Sequence, residues 1–157
     1  MTTFDWLLTA LLISFVLHVA EEEMTGYLEW SRRAMGKLGV GVTRSWANTL
    51  NSIAFGFGLF VVLRQTLPLW MRLGFAGLLL LNGITHVAGM VSFRRYVPGS
   101  WTGLLFFLPL GVAAYATVIH QGAGIVPILL GSLLALALEA ILPVSAMIRA
   151  RGVYSND

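Results

Sequence analysis

The chain has 157 residues, of which 57% are hydrophobic and only 11% are charged, and its formal net charge is +3. Soluble domains carry about 25% charged residues, so this composition excludes a water-soluble surface and predicts an integral membrane protein. The arginines occur singly or in pairs at the ends of apolar runs, which fits helix anchoring and argues against a nucleic-acid partner. The absence of cysteine excludes disulfides, thiolate metal sites and cysteine nucleophiles.

Five apolar stretches are long enough to cross the hydrocarbon core of a bilayer, which takes about 20 residues of helix. They predict an all-α fold, a single domain that forms a bundle of five transmembrane helices. The polar connection at residues 25–43 mixes aromatic with basic residues and predicts an interfacial loop or short helix lying on the bilayer. The predicted spans are residues 3–24, 44–63, 69–93, 100–119 and 124–148.

Charges in the loops predict the orientation of this bundle. Five spans place the 25–43 connection, the pair Arg94 and Arg95, and the C-terminus on one side, which carries eight Lys or Arg residues. The other side carries only Arg64 and Arg72. Because cytoplasmic loops are enriched in Lys and Arg, we expect the N-terminus outside and the C-terminus in the cytoplasm.

Ionisable residues inside the spans are the candidate functional residues, because each costs about 2.5–3.5 kcal/mol near the bilayer centre. The first span ends in His18-x-x-Glu21-Glu22, followed by Glu23. Helical spacing puts His18, Glu21 and Glu22 on one face, whereas Glu23 points elsewhere as part of the solvated helix end. We predict His18 and Glu22 as metal ligands and Glu21 and Glu22 as catalytic groups, with the choice between the two glutamates open.

Asparagines in the second and third spans extend this polar set. Asn48 and Asn51 lie one helical turn apart, and Asn82 lies one turn before His86. We predict that the three asparagines bind or support a cofactor. Hydrogen bonds between neighbouring helices are an equally good interpretation of them.

Later spans supply two more candidate ligands. His86 lies in the third span, and Glu139 lies in the strongly apolar fifth span. Pro143 cannot donate to the backbone carbonyl of Glu139, so we expect a kink and a free carbonyl there. We predict His86 and Glu139 as metal ligands, and Glu139 also as a catalytic acid or base.

These side chains are expected to meet in one layer. Counted from the predicted cytoplasmic ends of their spans, His18, Asn51, His86 and Glu139 lie six to ten residues inside. At a rise of 1.5 Å per residue, the corresponding depth is roughly 9–15 Å. The sequence therefore predicts a single buried site near the cytoplasmic face.

A turn motif, Tyr96-x-Pro98-Gly99, follows the third span. Pro98 fixes its own φ and Gly99 accommodates a positive φ, so the pair predicts a type II turn. Tyr96 is predicted as a catalytic residue, and an interfacial turn with no chemical role is an equally good interpretation.

Together, His18-x-x-Glu21-Glu22, the later His86 and the Tyr-x-Pro-Gly element resemble the HXXEE domain family of small membrane proteins. The three elements occur in the family's order and cover roughly the first two-thirds of the chain. The resemblance implies that these residues belong to the family's shared motif, and it implies no particular reaction. Glu139 lies beyond the motif and is a candidate on physical grounds alone.

Two imidazoles and several carboxylates predict a membrane enzyme that binds Fe, Mn or Zn, with one metal in a two-histidine, one-carboxylate site or two metals bridged by carboxylates. The expected substrate is lipid-like or a small hydrophobic molecule that enters from the cytoplasmic leaflet of the bilayer. Neither a nucleotide-binding motif nor a site for an organic cofactor is visible.

Three alternatives stay open. The same residues without a metal form an acid–base site for an isomerase, a cyclase or a hydratase. Buried His and Glu residues also build proton or ion pathways in transporters, although the apolar outer halves of these spans favour a closed pocket. A structural membrane protein is the third alternative, and glycines in the spans allow close packing within one chain or in a homo-oligomer.

Overall fold

Helices make up nearly all of the chain that the structure describes. The computed structural model describes the backbone of residues 1–36 and 43–154, and the side chains of these residues except 35–36, 142–143 and 145–154. In these ranges the helices are α1 (Thr3–Thr25), α2 (Tyr27–Gly36), α3 (Arg44–Leu63), α4 (Leu69–Phe93), α5 (Ser100–His120) and α6 (Ile125–Tyr154). Of the part described, α1, α3, α4 and α5 are long and apolar enough to cross a membrane, and α6 is apolar over Ile125–Ile141.

The all-α prediction is therefore confirmed, and the helix ends agree closely with the predicted stretches. Four predicted stretches end within one residue of α1, α3, α4 and α5, whereas α6 continues to Tyr154 instead of ending at residue 148. The predicted connection at 25–43 contains α2, and its residues 37–42 lie outside the described chain. The kink predicted at Pro143 falls where side chains are not described.

Local signals at both ends of α1 explain its length. Thr2 accepts a hydrogen bond from the backbone N–H of Asp5, and Asp5 in turn accepts one from the backbone of Thr2, which forms a capping box. At the other end, Gly26 adopts a left-handed conformation with φ of +78° and donates its N–H to the Glu22 carbonyl. The chain turns there into α2.

Helices α1 and α4 form the centre of the bundle. α4 packs along α6 and against α5, while α1 packs against α3 and α5. The interior between them is apolar. Its largest buried side chains include Leu8, Leu11, Leu73, Phe75 and Phe107.

A π-helical turn at Gly103–Phe107 interrupts the hydrogen-bond pattern of α5 next to this interior. Here α4 approaches closely, since a Cβ atom on Gly83 would lie 2.9 Å from the Cβ of Phe107 and 3.2 Å from the Gly103 carbonyl oxygen. The close approach places the Phe107 ring 4.7 Å from the His18 ring. π-helical turns of this kind occur frequently at functional sites.

An ion pair that the sequence analysis did not anticipate joins α1 to α4 at the end opposite the His-Glu-Glu motif. The Arg72 guanidinium donates to the Asp5 carboxylate and lies 4.8 Å from the centre of the Phe4 ring. The two paired side chains are only 13% and 7% exposed. From the sequence, Arg72 is interpreted only as one of the two basic loop residues on the outer side of the membrane.

Removing one partner of this ion pair should destabilise the protein. Replacement of Arg72 by Ala leaves the Asp5 carboxylate buried without its cation, which typically costs about 3–5 kcal/mol. The double variant Asp5→Asn/Arg72→Met removes both charges and should lose less than half of that amount. Thermal unfolding in detergent measures both variants, and equal losses would show that the ion pair itself is not the stabilising element.

Candidate functional site

Three buried side chains from α1 and α4 converge on one point. The Glu22 Oε1 atom lies 3.5 Å from His18 Nε2 and 3.4 Å from His86 Nε2. One possible ligand atom from each of the three residues lies within 4.8 Å of the others. Exposed fractions of 2% for His18 and 7% for Glu22 and His86 show that water is largely excluded. We call these three residues the His-Glu-His cluster.

The hydrogen bond at Nδ1 of each histidine shows that this nitrogen carries a hydrogen. His86 Nδ1 lies 2.6 Å from the Pro98 carbonyl oxygen, which can only accept, so this nitrogen carries the hydrogen. His18 Nδ1 lies 2.7 Å from the Thr102 hydroxyl oxygen. Because Thr102 donates its one proton to the Gly99 carbonyl at 3.2 Å, it accepts from His18.

In their neutral form, both histidines therefore direct an unprotonated Nε2 atom at the Glu22 carboxylate. Three hydrogen-bond acceptors that face one another in a buried space lack a donor, and this arrangement is costly without a cation between them. A metal ion can bind all three atoms at once, whereas a proton on one of them can be shared with one neighbour. By its chemistry the cluster is a group that could hold a cation.

Spacing in the cluster fits a metal ion. Two ligand atoms about 2.1 Å from a tetrahedrally coordinated ion lie about 3.4 Å apart. The separations from Glu22 to the two imidazole nitrogens, 3.4 and 3.5 Å, agree with this value, and one possible ligand atom of each residue lies within 4.8 Å of the others. Two histidines and one glutamate form a ligand set used by catalytic Zn and by non-haem Fe, and hydrogen bonds to the other ring nitrogens orient such ligands.

The turn between α4 and α5 supports both imidazoles. The Val97 carbonyl accepts from the Ser100 N–H at 3.0 Å, and Gly99 has φ of +88° and ψ of −8°, so the predicted type II turn is confirmed. A Cβ atom on Gly99 would lie 2.5 Å from His18 Cε1 and 2.8 Å from His86 Cε1. Glycine is needed both for the backbone conformation and for the space between the rings.

Glu21 holds this turn against α1. Its Oε1 atom accepts from the Tyr96 hydroxyl at 2.6 Å and from the Trp101 N–H at 3.1 Å, and its Oε2 atom accepts from the Thr102 N–H at 2.8 Å. The carboxylate thus satisfies backbone donors in the first turn of α5, where negative charge is stabilising. Partial burial and the neighbouring Glu21 raise the pKa of Tyr96, so its phenol remains a donor at neutral pH.

Residues 9–114 match the family described as "Protein of unknown function with HXXEE motif". The chain belongs to the HXXEE family. The resemblance seen in the sequence is thereby confirmed, and in this HXXEE chain the matched region contains the whole His-Glu-His cluster and the supporting turn, whereas Glu139 lies outside it. No curated protein and no solved structure matches the chain.

A cavity of about 300 Å³ lies beside the cluster of this HXXEE chain, with His86 in its wall. It is bounded by α1, α2, α3, α4 and α6, and most of its surface is apolar. Its polar lining comes from Tyr27, Asn51, Asn82, Thr85, His86 and Glu139.

The other predicted site residues lie around this cavity or outside it. Among the described side chains, Glu139 is not part of the group that could hold a metal, and it instead accepts from the Thr85 hydroxyl at 3.2 Å. Asn51 and Asn82 line the cavity, whereas Asn48 lies in an exposed groove on the other side of α3. Catalytic roles for Glu21, Tyr96 and Glu139 and the cofactor role of the asparagines stay predictions.

Sequence reasoning missed two residues that complete the site. Thr102 accepts the hydrogen bond from His18 Nδ1. In the sequence, its position shortly after the Pro-Gly turn is the only signal that points to it. Tyr27, which belonged to the predicted interfacial segment, places its ring 5.8 Å from the His86 ring. Burial, together with the charges of Glu22 and Glu139, raises the pKa of Tyr27 well above its usual value, so it stays a neutral donor between two carboxyl groups.

Replacing Gly99 by Ala should disrupt the site far more than replacing Gly122 by Ala. Both glycines have a positive φ, of +88° and +81°, but a Cβ at Gly122 meets nothing within 4 Å. The control carries only the backbone strain of about 1–2 kcal/mol, whereas Gly99→Ala also forces the two imidazoles to move. Thermal unfolding and ¹⁵N histidine NMR compare the two variants, and equal effects would contradict this account of the turn.

Proposed function

We propose that this chain is an integral membrane enzyme with five spans, its N-terminus outside and its C-terminus in the cytoplasm. In this proposal, His18, His86 and Glu22 bind one Fe, Mn or Zn ion, and the neighbouring cavity binds a lipid-like or small hydrophobic substrate. The observation that carries the proposal is the convergence of two unprotonated imidazole nitrogens on one buried carboxylate.

Three protein ligands leave coordination positions of the metal open, as in catalytic rather than structural sites. A bound metal would supply Lewis-acid polarisation of a substrate group or activation of water. His86 is both a ligand and a wall of the cavity, so a molecule in the cavity lies beside the metal site. Tyr27 supplies a neutral hydrogen-bond donor at the same wall, and the apolar lining keeps bulk water away.

The proposed membrane topology is supported by composition and by the position of charge. Four described helices have the length and apolar character of membrane spans, and α6 adds the apolar stretch Ile125–Ile141. Large apolar side chains on the outside of these helices, such as Leu133 at 61% exposure, are then covered by lipid. The loop charges of the sequence determine the proposed orientation.

A metal-free acid–base enzyme is the second candidate, and the position of Tyr27 favours it. The cation between the two imidazoles and Glu22 is then a proton, which the cluster can donate to a substrate in the cavity or take from it. Tyr27 lines the same cavity with its ring 5.8 Å from the His86 ring, so its phenol is a candidate proton donor to a molecule bound there. Metal content separates this candidate from the first.

Metal analysis is the direct test. Protein purified in detergent without chelators should contain about one Fe, Mn or Zn ion per chain, and His18→Ala, His86→Ala and Glu22→Gln should each lose it. Matched controls are His120→Ala and Glu23→Gln, because both residues are exposed and lie outside the cluster. Wild-type protein without metal, or metal that survives all three cluster variants, would overturn the metalloenzyme proposal.

Thr102→Val tests whether the proton on His18 Nδ1 matters. Valine keeps the shape of the side chain but removes the oxygen that accepts from His18. Loss of such a supporting hydrogen bond typically lowers metal affinity by about 10–100-fold. Competition with a chelator measures this affinity, and Thr117→Val on the same helix is the control. Unchanged affinity in Thr102→Val would contradict the assigned tautomer.

A further inference from the structure

The cavity beside the His-Glu-His cluster reaches the outer surface of the helix bundle. α3 packs against α1, and α6 packs against α4. Ile53 on α3 and Ile141 on α6 both line the cavity, and their exposed fractions are 59% and 41%. The wall of the cavity between α3 and α6 is therefore partly exposed on the part of the surface that faces lipid in the proposed membrane topology, and this is the side from which a ligand would enter.

Glu139 is the one carboxyl group among the described lining residues of this cavity, and Asn82 and Thr85 lie beside it. Thr85 has a single hydroxyl proton, which it shares between the Asn82 backbone carbonyl at 2.8 Å and Glu139 Oε1 at 3.2 Å. The Asn82 side chain also bonds to Glu139 through its amide group, and its own Oδ1 atom is buried without a hydrogen-bond partner in the described structure. A carboxylate can accept about four hydrogen bonds, so Glu139 keeps free acceptor sites on the cavity wall.

The charge of the cavity lining limits which ligands can bind at Glu139. Among the described residues, the cavity lining contains Glu139 but no Lys or Arg. An anionic head group such as a fatty-acid carboxylate would meet repulsion from Glu139 with nothing to offset it. A protonated amine supplies positive charge and up to three hydrogen-bond donors, which match the Glu139 carboxylate.

We propose that the cavity binds an apolar primary amine, with the nitrogen at Glu139 and the hydrocarbon chain extending toward the part of the wall formed by Ile53 and Ile141. The amine can enter from the bilayer in its neutral form when the Glu139 carboxyl group holds the proton. The amine and Glu139 then share this one proton, and the pair has no net charge whichever of them holds it. The inference rests on the proposed function and deepens it, since His86 places the bound amine beside the cluster.

Cavity size sets the length of the amine. About 300 Å³ is at the small end of ligand pockets and corresponds to roughly ten water-sized groups. A single chain of about ten carbon atoms therefore fits, with its end at the partly exposed wall. A two-chain lipid does not fit inside, although one of its chains can leave on this side.

Binding of decylamine, 1-decanol and decanoate to the full chain tests the proposal. The protein is placed in phosphatidylcholine nanodiscs, and calorimetric titrations are corrected by titrations of empty nanodiscs. Decylamine should bind at least tenfold more tightly than either other probe, and Glu139→Gln should weaken its binding about tenfold or more through loss of the charged partner. Ile141→Trp and Ile53→Trp should each abolish binding by filling the entry side of the cavity, whereas Leu133→Trp, an exposed change on α6 outside the cavity, should not.

Two results would overturn the inference. Equal or tighter binding of decanoate or 1-decanol would show that Glu139 does not select an amine. Decylamine binding that survives both Ile→Trp variants would show that the probe does not use this cavity. Thermal unfolding confirms that each variant is folded, and metal content is measured in the same samples. Absence of metal in a wild type that binds decylamine overturns the metalloenzyme proposal alone, whereas a metal-loaded wild type that does not bind decylamine overturns the amine proposal alone.

Discussion

A neutral imidazole has one nitrogen that donates and one that accepts, and the partner of the donor decides where the acceptor points. In this protein the Pro98 carbonyl and the Thr102 hydroxyl accept the two Nδ1 hydrogen bonds, so the remaining nitrogens of His18 and His86 face Glu22. The first of these partners lies in the turn between α4 and α5, and the second lies in the first turn of α5. The position of that turn, more than the histidines alone, therefore determines what the buried site can bind.

The remaining motif residues keep the turn in place. Glu21 binds the first backbone N–H groups of α5 together with Tyr96, and it connects the turn to α1. Gly99 leaves room for the two rings to meet at 4.8 Å. Each element of the HXXEE pattern thus has a physical task around the His-Glu-His cluster, and the two adjacent glutamates have different tasks.

Sequence reasoning predicted the helices and the layer of the site, because hydrophobic runs and helical rise determine both. The ends of α3 and α4 agree with the prediction, and His18 and His86 meet as their similar depths implied. Helical spacing alone could not show whether Glu21 or Glu22 contacts the histidines. Both lie on the side of α1 that carries His18, and only the positions of α4 and α5 show which carboxylate meets imidazoles and which meets backbone N–H groups.

Contacts between residues far apart in sequence were also beyond prediction. Thr102 has no sequence feature that distinguishes it from other threonines until α5 is packed against α1. Tyr27 resembled an interfacial anchor, and the reversal of the chain at Gly26 brings it over His86 instead. Asp5 and Arg72 each looked like a residue at a helix end, and their pairing depends on how α1 and α4 align along the bundle.

The cluster and the outer walls of the cavity come from different helices. The cluster residues and their supports lie on α1, on α4 and on the turn and helix start that follow it, whereas Ile53 and Ile141 of the cavity wall belong to α3 and α6. Changes on α3 and α6 can consequently alter the shape and polarity of the cavity without displacing a cluster residue. If the cavity binds a substrate as proposed, this separation would let related chains diverge in the molecules they accept, and the two outer helices would be the natural place for a mutant library that redirects specificity.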